Sequence, residues 1–213
     1  MTEILITDDH DIVRLGTSIV IKEVIPDAII NQATDLGETI SLLKEKPIAL
    51  LLLDINMPGG NNINMIKEVL SIQPELKILV FSSYDENIYA LRYLQAGAAG
   101  YVHKNSSKEE LKNAISSVME KGRYMSSEVS NLFMDTLTTG RSSILEANPL
   151  NLLSNREMDV AKLLMKGMSI AEVSNTMGLK NSTISTYKTR IFDKLQIDNL
   201  PDMIEIFRLQ SEL

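Results

Sequence analysis

The chain of 213 residues contains no cysteine and only two histidines. Without cysteine it can form neither a disulfide framework nor a cysteine-ligated zinc site, and so few histidines argue against a histidine-rich metal site. No apolar run approaches the roughly 18–20 residues needed to cross a bilayer. The start, MTEILITDDH, lacks the basic and long apolar regions of a signal peptide. We therefore expect a cytoplasmic protein that does not bind membranes.

The net charge of −7 is unevenly distributed along the chain. Residues 1–125 carry 12 basic and 17 acidic side chains, whereas residues 151–213 carry eight of each. An acidic segment joined to a less acidic one suggests different partners for the two. A neutral domain can bind nucleic acid if its positive charges gather on one face. The basic residues that lie close together in the second segment are Lys180, Lys188, Arg190 and Lys194.

Short apolar runs alternate with amphipathic helical patterns over the first 122 residues. The predicted strands are Ile4–Thr7, Ala28–Gln32, Ile48–Leu53, Leu76–Phe81 and Gly100–His103. The predicted helices lie near residues 11–24, 35–45, 62–73, 86–96 and 107–121. Five strand–helix units in succession predict an α/β fold with a doubly wound, five-stranded parallel sheet.

The stretch LLLDINMPGG at residues 51–60 marks the centre of that sheet. The run Ile48–Leu53 has no polar alternation, which is typical of a strand covered on both faces. Asp54 then stands at the carboxyl end of this strand. The Pro58–Gly60 segment lets the backbone turn away and leaves the carboxylate in a crevice.

Polar residues follow four of the five predicted strands, and they should meet at one edge of the sheet. They are Asp8 and Asp9, Asp54, Ser82 and Lys104. Three neighbouring carboxylates stay ionised together only with a cation, and oxygen ligands beside a phosphate suit Mg²⁺. This set predicts phosphoryl transfer to Asp54. Each signal has a plainer interpretation when taken singly, such as a helix cap for the acidic pair, a solvated lysine or a capping serine.

The pattern changes after residue 125. A short amphipathic piece lies near 126–137, and residues 138–150 are rich in small polar residues, as a linker is. The final segment shows four helical patterns and no strand. They are Arg156–Lys166, Ser169–Met177, Ser182–Gln196 and Pro201–Leu209, with Gly167 and Gly178 as helix ends.

The second and third of these helices have the proportions of a helix-turn-helix, whose second helix enters the DNA major groove. Ile184, Ile191 and Leu195 recur at helical spacing and should be its buried side. The candidate DNA contacts are Lys180, Asn181, Thr183, Ser185, Thr186, Lys188, Thr189, Arg190 and Lys194. The lysines suit phosphates, which position a protein without reading sequence. The alternative is a small helical bundle that docks on protein.

Together, ILITDDH, LLLDINMPGG, ILVFSS and GAAGYVHK resemble the receiver domain of bacterial two-component response regulators, over residues 3–122. The resemblance implies a flavodoxin-like fold and phosphate transfer from a sensor histidine kinase to Asp54. The matching functional positions are the Mg²⁺ ligands Asp8, Asp9, Asp54 and the Asn56 backbone carbonyl, the switch residues Ser82 and Tyr101, and the site lysine Lys104.

The resemblance also implies a switch. Phosphate on Asp54 would draw Ser82 toward it, and the Tyr101 ring would then move inward. The alternative interpretation of Tyr101 is a half-buried strand aromatic. One departure concerns the loop after the fifth strand, where many receivers have Lys-Pro and this chain has Lys104-Asn105.

Residues 152–209 resemble the LuxR-type helix-turn-helix of the NarL/FixJ response regulators through LSNRE, KGMSIAEV, TISTYKTRI and KL, most closely the BvgA/EvgA-type members. The resemblance implies that Glu157 is a buried structural residue. This chain departs from the family's pattern at Ser185, where lysine is common, and at Lys180, where serine usually caps the helix. In the family the last helix pairs two domains. The stripe that would do so here is Met203, Ile204 and Phe207, unless it packs inward.

The sequence thus predicts a response regulator transcription factor. We expect a receiver at 1–124, a linker with a short helical piece at 125–149 and a DNA-binding domain at 150–213. Phosphorylation should promote homodimerisation and binding to promoter DNA, with catalysis limited to the receiver's own phosphate.

Two rival functions are a haloacid-dehalogenase-like phosphatase and a phosphorylation-independent DNA binder. The first places its nucleophile on the first strand with a second aspartate two residues on, where this chain has Asn56. The complete acid, hydroxyl and lysine set argues against the second.

Overall fold

A computed structural model describes residues 2–57, 63–84, 86–138 and 149–211. The chain divides into two compact units, Met1–Met134 and Asp135–Leu213. The elements of the first unit are β1 (Glu3–Thr7), α1 (Asp11–Val24), β2 (Ile29–Ala33), α2 (Leu36–Glu45), β3 (Leu50–Leu53), α3 (Asn64–Ile72), β4 (Lys77–Ser82), α4 (Glu86–Gln95), β5 (Gly100–His103) and α5 (Lys108–Lys121). A further helix, α6 (Ser127–Thr138), crosses the division between the units. No helix in the described ranges is long and apolar enough to cross a membrane.

The five strands form one parallel sheet in the order β2-β1-β3-β4-β5. The direction of winding reverses at β1, which pairs with β2 on one side and β3 on the other. At their carboxyl ends Thr7 of β1 lies opposite Leu53 of β3, and Ser82 of β4 lies opposite His103 of β5. The predicted doubly wound sheet is confirmed. Its topology brings the residues after β1 and β3 to adjacent positions.

Burial of the central strand explains its composition. The four leucines of β3 are at most 1% exposed, because helices cover both faces of the sheet. Helix α5 turns a stripe toward the same core at spacings of three and four residues. The residues of this stripe are Leu111, Ala114, Ile115 and Val118.

Several element ends differ from the predicted ones by one or two residues. β2 runs to Ala33, one residue beyond the prediction, and β3 begins at Leu50 instead of Ile48. Apolar composition sets the middle of a strand, but its hydrogen-bonded partner sets its ends. The predicted Pro58–Gly60 turn lies outside the described residues.

Over the described residues 149–211 the second unit has four α-helices, as predicted, and no strand. A 3₁₀ turn at Pro149–Leu152 precedes α7 (Asn155–Met165), α8 (Ile170–Met177), α9 (Asn181–Leu195) and α10 (Leu200–Ser211). Ser154 and Ser169 start α7 and α8 with reciprocal capping boxes. Gly178 ends α8 at φ +66°, a left-handed conformation that favours glycine. These caps set the short turn between α8 and α9.

The predicted linker is only partly described. Its first part forms α6, where Val129 is 1% exposed and therefore packs within the first unit. Residues 139–148 lie outside the described ranges. The predicted domain boundaries at 124 and 149 stay predictions.

Candidate functional site

Two carboxylates stand side by side at the reversal point of the sheet. Asp54 directly follows β3, and its backbone N–H donates to the Thr7 carbonyl at 2.8 Å. Asp8 directly follows β1 on the neighbouring strand. The side chains of Asp54 and Asp8 are only 2% and 3% exposed. The pairing of β1 with β3 therefore buries two like charges together.

A third carboxylate and an imidazole complete an acidic cluster. Ligand atoms of Asp8, Asp9, His10 and Asp54 all lie within 4.8 Å of one another. His10 Nδ1 is 2.7 Å from Asp9 Oδ1 and 3.1 Å from Asp8 Oδ1. Three carboxylates fit a hard divalent cation such as Mg²⁺. Sequence reasoning missed His10, although it directly follows the acidic pair.

Lys104 supplies the opposing charge. Its Nζ lies 2.8 Å from Asp54 Oδ2 and 2.6 Å from Asp8 Oδ2. Burial raises the pKa of Asp54 above its usual value, even though Lys104 and the Asn56 N–H favour the ionised form. Burial would lower the pKa of Lys104, but bonds to Asp54 and Asp8 outweigh it and raise that pKa. At Asp54 burial outweighs the bond from Lys104, whereas at Lys104 the two carboxylates together outweigh burial.

The loop after β4 forms a second part of the site. The Ser82 hydroxyl is fully buried and accepts from the Tyr84 N–H at 3.3 Å. The Tyr101 hydroxyl lies beside Ser82 and donates to the Tyr84 carbonyl at 2.9 Å. Tyr101 is 1% exposed, and burial raises the pKa of its phenol. The ring thus occupies an inward position instead of the half-buried one of the alternative interpretation.

Asn56 joins this loop to the Asp54 carboxylate. Its N–H donates to Asp54 Oδ1 at 3.0 Å, and its side-chain oxygen accepts from the Tyr84 hydroxyl at 3.0 Å. Its carbonyl as a metal ligand stays a prediction. Sequence reasoning missed Tyr84, since nothing in its spacing distinguishes it from an ordinary loop aromatic.

Arg14 was also missed. Its side chain is buried, and Nη1 donates to the Asp8 carbonyl at 2.6 Å while Nη2 pairs with Asp11. The guanidinium therefore fixes the backbone that carries the acidic pair. The Asp11–Arg14 spacing of three residues within a helix was the available signal.

The second unit presents α9 as a polar helix with one buried side. Ile184, Ile191 and Leu195 are at most 6% exposed, as predicted. The predicted DNA contacts that are exposed are Lys180, Asn181, Ser185, Thr186, Thr189, Arg190 and Lys194, whereas Thr183 and Lys188 are half-buried. Lys188 Nζ lies 5.3 Å from the centre of the Phe192 ring. Lys180 is the N-cap of α9 and makes no side-chain cap.

Comparison with known proteins agrees with the predicted identity of both the N-terminal and the C-terminal segment. Residues 4–116 match the response regulator receiver domain family, and residues 151–207 match the bacterial regulatory proteins of the luxR family. The Bordetella pertussis virulence factors transcription regulator BvgA is 32% identical over 209 residues, covering 96% of this chain and 95% of that protein. The chain belongs to the NarL/FixJ family of response regulators.

Two solved structures extend the comparison. A LuxR-family two-component response regulator from Aurantimonas sp. SI85-9A1 is 30% identical with a TM-score of 0.57, covering 65% of this chain and 99% of that one. A structure of two RcsB dimers bound to two parallel DNAs is 25% identical with a TM-score of 0.57, covering 97% of each chain. The predicted family, fold class and role as a response regulator transcription factor are confirmed, and the family is one of DNA-binding regulators.

Glu157 of this response regulator is buried, as predicted, and its partner is Lys194, which was expected to contact DNA phosphate. Lys194 Nζ donates to Glu157 Oε2 at 2.6 Å, and the Glu157 side chain is 4% exposed. Burial would raise the pKa of Glu157, but the bonds from Lys194 and Ser154 outweigh it and hold that pKa below its usual range. Lys194 therefore ties α9 to α7, and its phosphate contact stays a prediction.

The predicted pairing stripe on α10 is corrected at one position. Met203 is fully buried, because α10 packs on α7 with this side inward. It is therefore not available to a second chain. Ile204 and Phe207 are half-buried and keep some exposed surface.

Proposed function

We propose that Asp54 accepts a phosphoryl group from a phosphohistidine of a sensor kinase. The P–N bond of the donor breaks as a P–O bond to a carboxylate oxygen of Asp54 forms, and the product is an acyl phosphate. The observation that carries the proposal is the contact of the Lys104 ammonium with both Asp54 and Asp8. Lys104 and Asp54 are 50 residues apart in the sequence. Once a divalent cation offsets the carboxylates, the Lys104 ammonium is placed to bind a phosphoryl oxygen.

Asp8 and Asp9, with Asp54 and Asn56, would hold Mg²⁺. When bound, the ion would neutralise charge on the phosphoryl oxygens and align the group with the acceptor. The Lys104 ammonium would leave one of its two carboxylate partners and bind a phosphoryl oxygen in its place. The Ser82 hydroxyl would donate to a second phosphoryl oxygen. The receiver would in this way assist its own phosphorylation and dephosphorylation, without acting on metabolites.

The phosphate would then bias two states of the receiver. Ser82, Tyr84 and Tyr101 already form one hydrogen-bonded set, with the aromatic ring inward. Phosphate on Asp54 would hold Ser82 in place and favour this inward arrangement over an outward one. The surface formed by α4, β5 and α5 would change as a result.

The output would be binding of a cytoplasmic homodimer to promoter DNA. Helix α9 presents exposed polar and basic side chains opposite its buried stripe, as a major-groove helix does. Exposed Lys180 and Arg190 would neutralise phosphates, so binding would weaken steeply with salt. Ile204 and Phe207 would supply the apolar part of a pairing surface on α10.

Incubation with acetyl phosphate and Mg²⁺ tests the proposal. Intact mass should show one added phosphoryl group, peptide mapping should place it on Asp54, and sedimentation should show a larger species. Asp54→Asn is the matched control and should show neither change. Steady release of phosphate from a phosphomonoester would instead favour a phosphatase, and a normal response in Asp54→Asn would favour a phosphorylation-independent regulator.

A further inference from the structure

His103 is the last residue of β5 and stands directly before Lys104. Its half-buried imidazole makes two hydrogen bonds, one to each neighbouring loop. Nε2 lies 3.1 Å from the Ser83 carbonyl oxygen, in the loop after β4. Nδ1 lies 3.0 Å from the backbone nitrogen of Asn105, in the loop after β5.

These partners fix the protonation of the ring. The Asn105 N–H can only donate, so Nδ1 must present a lone pair. The single proton of the neutral imidazole is then on Nε2 and is donated to the Ser83 carbonyl. A protonated ring would carry hydrogens on both nitrogens and would lose the bond from Asn105. The observed arrangement therefore requires the neutral form.

The imidazole continues the sheet beyond its last backbone bond. The Lys104 N–H donates to the Ser82 carbonyl at 2.8 Å, which closes the pairing of β4 with β5. His103 adds one link just past this point, between the residues that follow Ser82 and Lys104. The two loops that carry the site hydroxyl and the site ammonium are thus held at a fixed separation.

The same contact accounts for the departure at Asn105. A proline at this position would have no N–H to donate. Asn105 supplies that donor, and the His103 ring accepts it. The loop that many receivers stiffen with proline is stiffened here by an imidazole.

We propose that His103 is a positioning residue for phosphoryl transfer. Its neutral ring clamps the loops after β4 and β5 and thereby holds the Ser82 hydroxyl and the Lys104 ammonium where two phosphoryl oxygens will lie. This inference rests on the proposed function of Asp54. His103 touches neither the acceptor nor the acidic cluster in the hydrogen bonds of the described residues, so its effect is exerted through its neighbours.

Among the described residues, Glu86 at the start of α4 interacts electrostatically with His103. Lys104, the next residue, directs its ammonium to Asp8 and Asp54. Both groups are retained in the variants below, so their charges are common to all the proteins compared.

The test compares initial rates of Asp54 phosphorylation by acetyl phosphate and Mg²⁺, followed by intact mass on the full chain. His103→Phe keeps a planar ring but removes both hydrogen bonds, and should slow the reaction about three- to tenfold, as the loss of one or two hydrogen bonds does. His103→Gln can still donate to the Ser83 carbonyl through its side-chain nitrogen, which takes the place of Nε2, and should stay within about twofold of the wild type. Asn105→Ala keeps the backbone N–H and is the matched control, with an unchanged rate.

Rescue by His103→Gln separates positioning from general loop stability. His103→Phe and His103→Gln both remove the imidazole, so they differ in the side-chain donor to the Ser83 carbonyl. Equal rates in His103→Phe and His103→Gln, or an unchanged rate in His103→Phe, would overturn the inference while the proposed function stands. If the wild type itself gains no phosphoryl group at Asp54, the proposed function fails and the inference fails with it.

Discussion

The Tyr84 hydroxyl donates to the side-chain oxygen of Asn56 at 3.0 Å and so joins the loop after β4 to the loop after β3. Asn56 in turn donates its N–H to the proposed acceptor Asp54, and the Tyr84 carbonyl accepts from the Tyr101 hydroxyl. Tyr84 thus contacts Asn56 through its side chain and Tyr101 through its backbone. This placement puts an aromatic ring beside the position where a phosphoryl group on Asp54 is expected.

We predict that Tyr84 lengthens the life of the aspartyl phosphate. Hydrolysis needs a water molecule to approach the phosphorus, and the ring held by Asn56 limits access from this side. Tyr84→Phe keeps the ring but removes its hydrogen bond to Asn56. It should speed the loss of phosphate about fivefold, the effect expected for the loss of one hydrogen bond. Tyr84→Ala opens the side entirely and should speed it further. The measurement is the decay of phosphorylated protein after the donor is removed.

Ser83→Ala is the control for this pair, because it changes the same loop at an exposed side chain. It should leave the decay rate unchanged. Slower decay in Tyr84→Ala than in the wild type would contradict a shielding role, since it would mean that the phenol helps the attacking water.

Removal of the negative charge of Asp54 should stabilise the first unit. Burial raises the pKa of Asp54 above the ordinary value of 3.8, so the folded state binds a proton more readily than the unfolded state. For a carboxyl shifted in this direction, stability falls as the pH rises from the unfolded value through the raised one. Asp54→Asn should therefore gain about 1 kcal/mol at neutral pH, within the range found on relieving a functional site.

Denaturant unfolding at two pH values checks this. The gain in unfolding free energy should shrink as the pH falls below the raised pKa of Asp54, because the wild-type carboxyl is then itself protonated. Asp27→Asn removes an exposed carboxylate and should leave the stability within about 0.5 kcal/mol. A loss of stability in Asp54→Asn at neutral pH would mean that the Lys104 bond outweighs burial.

How well a feature of this protein can be predicted from its sequence depends on the type of interaction that produces the feature. Apolar periodicity placed the helices and the central strand, because burial on one or both faces constrains every residue of an element. The strand ends indicated which carboxylates would meet, because parallel strands present their carboxyl ends at one edge. Tyr84 and His103 escaped notice because each acts through single hydrogen bonds to backbone or amide atoms. Such bonds leave no periodic trace in a sequence.

Met203 illustrates a different limit. The apolar stripe of α10 was apparent, but a stripe can face the chain's own core or a second chain, and composition is the same in both cases. Packing of α10 on α7 decides the matter at Met203.

Loss of Lys194 should destabilise the second unit. Lys194→Met leaves the buried Glu157 carboxylate without its ammonium, and should cost about 1–2 kcal/mol, less than a fully buried pair because Lys194 is partly solvated. The pKa of Glu157 is lowered, so this contribution is present above the ordinary glutamate value of 4.5 and is lost as the pH falls through the lowered one. Lys180→Met removes the same charge from an exposed cap and should leave the unfolding transition in place.

DNA binding should distinguish the exposed cations of α9. Lys180→Gln and Arg190→Gln should each weaken binding to an arbitrary DNA duplex and lower the slope of log affinity against log salt by about 1 per chain, because each removes one phosphate contact. The measurement is fluorescence anisotropy of a labelled duplex over a range of salt concentrations. Lys166→Gln changes a cation after the end of α7 and serves as the control. An equal loss in all three variants would indicate that overall charge, not the face of α9, determines binding.

A half-buried glutamate should control how firmly α6 is held within the first unit. Glu86 begins α4, and the Ser126 hydroxyl, just before α6, hydrogen-bonds its carboxylate. Burial raises the pKa of Glu86 above the ordinary value of 4.5, and the negative charges of Glu110 and Glu128 raise it further. The folded state therefore gains stability as the pH falls toward that raised value.

Glu86→Gln keeps a partner for Ser126 without the charge, and should slow hydrogen exchange of the α6 amides at neutral pH about threefold or more. The wild type should approach the variant on acidification, while the variant itself should show no such gain. Glu128→Gln removes a fully exposed charge on α6 and is the matched control, expected to have a smaller effect. Faster exchange in Glu86→Gln would show that the ionised carboxylate holds α6.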